Sequence, residues 1–414
     1  MAYRRIPVSA LRVGMHVAKV DRSWLWSPLF FGSFRIKNAR QIEKLKRYGI
    51  KEVDIDPARG VDMNDEGTAV VATVGVPVDC PTRNAQAVNQ TSPLETMVRD
   101  LTLAREARQR LEQSIRASFS TIAATGSVEP DEARTIAIEV ISVTQTLPKP
   151  ALLMAFSHER GEDPLLSQHA LAVSGLSMIL AHAAEFDLFT QQDVVTGALL
   201  HDIGLLQLPP DIRRRCNDTS GSLSLQEQKL YRSHPRLIAM ALQRQGSFSP
   251  AVCQMVADHH ALLNNTGFPT ETHGAFTSDI TRLMMVADRY DELLTGFGGA
   301  SPLTPHQALQ RLYEEGRAGK YDATYVTLFV TTLGIYPVYS AVKLNTGERA
   351  IVTVINSRKL HQPIVTITHD PSGAPYPVSL VIDLANQNEG ARTRSIASII
   401  ENDPESLGRL AQFC

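Results

Sequence analysis

Hydrophobic positions divide the chain into stretches of different period. From Pro130 to about Leu333 they recur at helical spacing almost without a break. Leu165 to Phe186 predicts an amphipathic helix, with His169, Val173, Leu176 and Leu180 on one stripe. A second helix begins near Thr190 and runs through Val194, Val195, Ala198 and Leu199 into His201-Asp202-Ile203-Gly204, where Gly204 marks its end. Ser224-x-x-Glu227 opens another helix with a capping box. Pro235 suits only a first turn, which predicts a helix start at His234. Pro250, after Ser249, opens a helix that ends in Asp258-His259-His260. A last one runs from about Asp279 to Leu294 and carries Asp288 on the face of Ile280, Met284 and Ala287.

The flanks read differently. Residues 94–125 predict one long polar helix with a narrow stripe of Leu94, Val98, Leu101, Ala104, Leu111 and Ile115, equally a connector and a homodimer seam. Ile6, Val8, Val13, Val17 and Val20 predict short N-terminal strands broken at Gly14, followed by a helix over Ala39–Tyr48 and a strand over 51–56. Residues 61–93 keep no period and predict a linker. After Gly334, residues 342–355 alternate around an Asn-Thr-Gly turn, and PIVTIT (363–368) and YPVSLVIDL (376–384) follow as strands. The expected fold class is mainly α: a helical bundle with a small α/β N-terminal domain and a small β-rich C-terminal module. The expected divisions are 1–60, a linker at 61–93, connector helices at 94–150, the helical domain at 151–335 and the β-rich module at 336–414.

Composition narrows the function. With 41 Lys+Arg against 43 Asp+Glu, the net charge is −2, which argues against a nucleic-acid or membrane-surface binder. The four cysteines, Cys80, Cys216, Cys253 and Cys414, form no CxxC. That excludes a disulfide scaffold or a cysteine-rich zinc site and predicts a reducing, cytoplasmic setting. The best apolar run, Tyr325–Val342, is broken by Gly334 and Pro337, so no membrane span is expected. Arg12, Lys19 and Asp21 interrupt what would otherwise resemble a signal peptide after Arg4 and Arg5.

Histidine is concentrated: nine of the 12 lie between His158 and His306, inside the helical stretch. A single histidine on an apolar stripe is usually a core residue with a satisfied hydrogen bond, and His234 or the His259-His260 pair could each be a helix terminus. The set weighs more than its members. His169, His201-Asp202, His234, His259-His260 and Asp288 all fall at helix ends or on buried faces. A carboxylate among Ile, Met and Ala costs several kcal/mol unless paired or metal-bound. Imidazoles with carboxylates suit Fe, Mn or Zn, and also Ni or Co. Five histidines and two aspartates exceed one tetrahedral ion, whereas two ions sharing Asp202 would use them all.

This constellation resembles the HD-GYP family of HD-type metal phosphohydrolases over about 155–335. His201-Asp202-Ile203-Gly204 resembles its HD-I-G motif, His259-His260 its HH pair, Thr266-Gly267-Phe268-Pro269 its T-G-Y-P turn and Val286-Ala287-Asp288 its V-A-D motif. The N-terminal stretch is similar to the accessory domain that often precedes such domains. The resemblance implies a bacterial signalling phosphodiesterase that hydrolyses cyclic di-GMP to pGpG or GMP with two divalent transition ions. One ion would be held by His169, His201, Asp202 and Asp288, the other by Asp202, His234, His259 and His260. His201 and Asp202 would be catalytic, and Arg282 with Gly267, Phe268 and Pro269 would face substrate. Two ions about 3.5–4 Å apart activate water and neutralise phosphate charge.

The sequence also departs from the family. Leu205 replaces the lysine after HD-I-G, Ala261 the glutamate after HH, and Asn264-Asn265 the Asp-Gly before the turn. Gly296 to Ala300 replaces a basic segment, and Leu165 stands where a carboxylate can support a third metal. Arg213, Arg214, Arg215, Arg232, Arg236, Arg282 and Arg289 are the cations available to compensate. The departures sustain two alternatives: a module that binds metal and nucleotide and signals through protein partners without hydrolysis, or a phosphohydrolase for another nucleotide.

Overall fold

A computed structural model describes residues 4–20, 34–36, 39, 42, 52–57, 60, 93–158, 166–216, 223–270, 274–299, 301–338, 340–356, 358–387 and 393–400. Internal contacts divide the chain into two compact units, Met1–Ser92 with Asp187–Phe189, and Pro93–Phe186 with Thr190–Cys414. Of the predicted linker over 61–93, residues 61–92 lie outside the described residues and Pro93 opens a helix; most of the predicted Ala39–Tyr48 helix also lies outside them.

In the first unit, β1 (Arg4–Pro7), β2 (His16–Val20), β3 (Phe34–Arg35) and β4 (Glu52–Ile55) form an antiparallel sheet in the order β1-β4-β2-β3. Alternation along β4 buries Val53 and Ile55 with Ile6, Val8 and Val17. On the other face, Arg5 pairs with Asp54 across the strands at 2.9 Å.

Eleven α-helices are described in the chain: α1 (Pro93–Thr125), α2 (Pro130–Thr146), α3 (Lys149–His158), α4 (Leu166–Ala183), α5 (Leu188–Leu200), α6 (Pro210–Cys216), α7 (Leu225–Gln245), α8 (Pro250–Asp258), α9 (Asp279–Thr295), α10 (Pro305–Arg317) and α11 (Ala323–Leu333). The long α1 forms as predicted and buries Leu101, Ala104, Leu111 and Ile115. Ser224 and Glu227 cap α7 reciprocally, while Ser249 and Ser278 cap α8 and α9.

Two helices depart from expectation. The α4 helix is buried on every side from Ser167 to Ala181, not amphipathic, because α1, α2, α3, α9 and α11 all pack against it. Its small residues permit this; a Cβ on Gly175 would come within 2.7 Å of the Phe156 ring. Pro235 does not start a helix but lies inside α7. The Tyr231 carbonyl that a residue-235 amide would have bonded instead accepts from His234 Nδ1 at 2.6 Å.

The C-terminal β5 (Ala341–Leu344), β6 (Arg349–Val354), β7 (Ile364–His369), β8 (Pro375–Asp383) and β9 (Ile396–Ile399) form a second antiparallel sheet, ordered β8-β7-β6-β5-β9. The Asn-Thr-Gly turn closes β5 onto β6, with Gly347 at φ 92°. No helix among the described residues is long and apolar enough to cross a membrane.

Candidate metal centre

Helix ends create most of this site. The last carbonyls of a helix lack intrahelical donors. At the end of α5 the Ala198 carbonyl accepts from His201 Nδ1 at 2.7 Å, and at the end of α8 the Val256 carbonyl accepts from His259 Nδ1 at 2.8 Å. His234 uses the carbonyl freed by Pro235 in the same i−3 relation. Each ring is thereby held as the Nδ1–H tautomer, with the Nε2 lone pair pointing away from its own helix. His169 lies in the first turn of α4 and is anchored by a carboxylate instead, Nδ1 to Asp291 Oδ2 at 2.8 Å.

The Nε2 atoms converge. His169 Nε2 lies 3.2 Å from His201 Nε2, and His234 Nε2 lies 3.4 Å from His259 Nε2. Asp202 stands between the pairs: Oδ2 is 3.6 Å from His169 and 3.5 Å from His201, while Oδ1 is 3.0 Å from His234 and 3.3 Å from His259. Asp288 Oδ1 approaches His169 and His201 at 3.2 and 3.7 Å. His169, His201 and Asp202 thus form one cluster of potential ligands, and Asp202, His234, His259 and His260 another. Asp202 belongs to both.

The donor chemistry fits divalent ions. Two imidazole lone pairs facing each other this closely repel unless positive charge lies between them. The His260 Nε2 is screened from solvent and has no hydrogen-bond partner. Burial works against ionisation of Asp202, yet the neighbouring His201 and the bonds from His234 and His259 hold its pKa well below the ordinary carboxylate value. Burial opposes Asp288 likewise, but His169 and His201 hold it at about 2. Burial opposes protonation of His169 too, and Asp288 and Asp291 overcome it, raising its pKa to about 10. Burial and the adjacent imidazoles His259 and His234 hold His260 neutral. Two ionised acids inside a protein require cationic company.

Two glycines permit the approach. A Cβ at Gly204 would sit 2.6 Å from the His234 carbonyl oxygen, so the 3₁₀ turn Ile203–Gln207 closes on α7 only with glycine there. At Gly267 it would sit 2.0 Å from the His260 carbonyl oxygen. Phe268, joined to Pro269 by a cis peptide, lays its ring 4.3 Å from that of His260, and the Arg232 guanidinium stands 5.9 Å from the Phe268 ring. Arg282 is turned to protein groups, with Nη1 3.5 Å from Asp322 and Nε donating to Thr277 at 3.3 Å. Arg289 is gripped by Glu315 and Glu292, and Arg215 by Glu227 and Asp211.

Three residues were missed from sequence. Asp291 lies one turn beyond Asp288 on α9, and that spacing was the available signal. Glu292, also one turn on, sits beside Asp288 and His260; burial and the Asp288 charge raise its pKa to about 7. Phe297 stacks on His169 with ring centres 4.1 Å apart and planes at 13°. It shares an apolar cluster with Leu205, Leu208 and Ile212. Leu165 lies outside the described residues.

The family described as HD domain matches residues 160–325, and one described as a domain of unknown function (DUF3391) matches residues 3–133. An HD domain therefore occupies residues 160–325 of the chain. It is similar to a cyclic di-GMP phosphodiesterase of Pseudomonas aeruginosa, 27% identical over 391 residues, 94% of this chain and 91% of that one. A 3′3′-cGAMP-specific phosphodiesterase of Vibrio cholerae is 24% identical over 163 residues, 39% of this chain and 37% of the relative. Among solved structures, an HDG"Y"P protein from Bdellovibrio bacteriovorus matches with TM-score 0.46 and 19% identity, covering 79% of this chain and 98% of that one. The matched HD-domain region contains the buried His/Asp clusters, which are consistent with a metal site of the HD type.

Proposed function

We propose that the chain is a two-metal phosphodiesterase acting on cyclic di-GMP. The observation that carries this reading is the pair of buried ligand clusters joined through Asp202. His169, His201, Asp202 and Asp288 would hold one ion, and Asp202, His234, His259 and His260 the other. Bound there, divalent ions of the Fe or Mn type would activate water and offset phosphate charge. The chain's own groups do the rest. The three helix-end carbonyls and Asp291 orient the rings, so little reorganisation is needed when substrate arrives. Phe268 covers one face of His260 and offers an apolar surface to a nucleobase, and Arg232 beyond it offers a cation to a phosphate.

Full-length protein loaded with Mn or Fe is expected to convert cyclic di-GMP to pGpG or GMP, and Asp202→Ala to lose this. Metal-replete wild type without turnover would overturn the reading.

One observation favours a second reading, a module that binds metal and nucleotide without hydrolysis. Leu205, in place of the lysine, and Phe297, within the replaced basic segment, pack together in one apolar cluster. The two departures therefore act as a unit. Calorimetry showing cyclic di-GMP binding by a sample that does not turn it over would select this alternative, and turnover of 3′3′-cGAMP alone would shift the substrate.

A further inference from the structure

We propose that Glu112 of α1, acting through Gln168, is a positioning residue for His169 and hence for one ion of the pair. The proposal rests on the metal-centre reading above. His169 lies in the first turn of α4, which has no earlier turn to bond to. The direction of that turn therefore depends on anchors from outside the helix. Asp291 holds the ring of His169. The adjacent Gln168 ties the turn itself, because its Nε2 donates to Glu112 Oε1 at 3.0 Å.

Glu112 is a prepared acceptor. Arg108 stands one turn before it and Arg116 one turn after it. Arg108 Nη1 lies 3.4 Å from Oε2, and Arg116 Nη2 lies 2.7 Å from Oε1. The carboxylate is thus held from both sides by its own helix before Gln168 reaches it. Arg108, Glu112 and Gln168 are all buried. Such a group resists displacement, because moving it leaves a buried charge without company.

Packing alone does not account for Gln168. Its Oε1 is buried with no partner, which costs stability and which an apolar side chain of the same size would avoid. What the amide supplies, and an apolar group would not, is the bond to α1. The same helix also packs against Ile203–Gln207, the turn that follows His201-Asp202. α1 lies within the DUF3391 match and outside the HD-domain match. A helix from beyond the HD-domain match therefore supports one of that domain's candidate ligands, and a displacement of α1 is passed to the His169 cluster.

The test reads the two ions separately. Full-length Gln168→Met is nearly isosteric and strands no buried charge. Loaded with Mn²⁺, it is expected to yield one ion to a chelator about 10-fold more readily than wild type, with the other ion held as in wild type. Anomalous scattering from its crystals should weaken beside His169 and persist among His234, His259 and His260. Glu112→Gln keeps an oxygen that can accept from Gln168 and should retain both ions. Gln168→Asn, too short to span to Glu112, gives the same reading where the thioether is not accommodated. Equal loosening of both ions with a lower Tm assigns the bond to folding alone and overturns the proposal. Wild-type retention of both ions in Gln168→Met and Gln168→Asn overturns it too and leaves the paired site standing. A wild type that binds no Mn²⁺ overturns the paired site and this proposal with it.

Discussion

The floor of the candidate site and its rim obey different rules. On the floor, seven side chains from five segments converge, and each of the anchored rings is aimed by a specific partner: a carbonyl for His201, His234 and His259, a carboxylate for His169. On the rim, polar and charged chemistry has given way to packing. Leu205 is buried with Leu208, Ile212 and Phe297, and Ala261 is buried as well. Asn264 and Asn265 serve the turn, one accepting from Thr266 and the other from Gly274, with Asn265 at φ 60°. The candidate ligands and the residues around them are thus held by different interactions in this chain, so each set can be disturbed without the other.

The largest expected effect breaks the floor. Asp202→Ala removes the carboxylate shared by both clusters, and metal content should collapse with turnover falling more than about 10³-fold. Mass spectrometry of the purified variant checks this. A variant that keeps its metal and activity would mean that the clusters are only a packed polar core.

Next comes the rim. Leu205→Lys places an unpaired ammonium in an apolar cluster and should lower stability by about 2–4 kcal/mol, read as a fall in Tm, with metal content unchanged. A Leu205→Lys chain of wild-type stability and raised turnover would show that the rim still accepts a cation, and the contrast between floor and rim would fail.

Asp291→Asn sharpens the contrast from the floor side. Asp291 touches no proposed ion; it orients His169 by accepting from its Nδ1, which leaves Nε2 as the donor to a metal. Loss of such a partner typically costs about 10–100-fold in metal affinity. Competition with a chelator should show that loss without a change in the wild-type fold. A purely structural role for Asp291 would instead move Tm and leave metal affinity alone.

How far the floor could be read in advance follows from what each residue does locally. Asp288 was visible because a carboxylate on an apolar face demands an explanation, and His201-Asp202 because they follow a helix that ends at a glycine. His234 joins the buried cluster for a local reason other than the one its sequence suggests. Pro235 signalled a helix start, whereas the chain uses it mid-helix to free the Tyr231 carbonyl. Asp291 and Glu292 escaped notice because periodicity does not reveal that α4 packs against α9. The burial of α4 on all sides was hidden for the same reason: stripe analysis assumes a solvent face. In the C-terminal sheet β5 to β8 fall on the predicted strand segments, but β9, with a half-exposed pattern, takes its place only by pairing with β5. The rim was least legible. Leu205 and Phe297 are far apart in sequence, and their contact required the fold.

The smallest predicted effect concerns Arg232, a rim cation near the site. It is exposed and its guanidinium stands over Phe268, which in turn lies against His260. An exposed charge is screened by water and salt, so its contact with a phosphate is weak. Arg232→Ala should therefore raise KM for cyclic di-GMP by about 3–10-fold while kcat and metal content stay near wild type, and Arg232→Lys should restore part of the loss. The effect should shrink as salt is raised, which distinguishes a phosphate contact from lost packing on Phe268. If kcat falls instead, the cation acts in the reaction itself, and the rim holds more of the chemistry than its apolar cluster suggests.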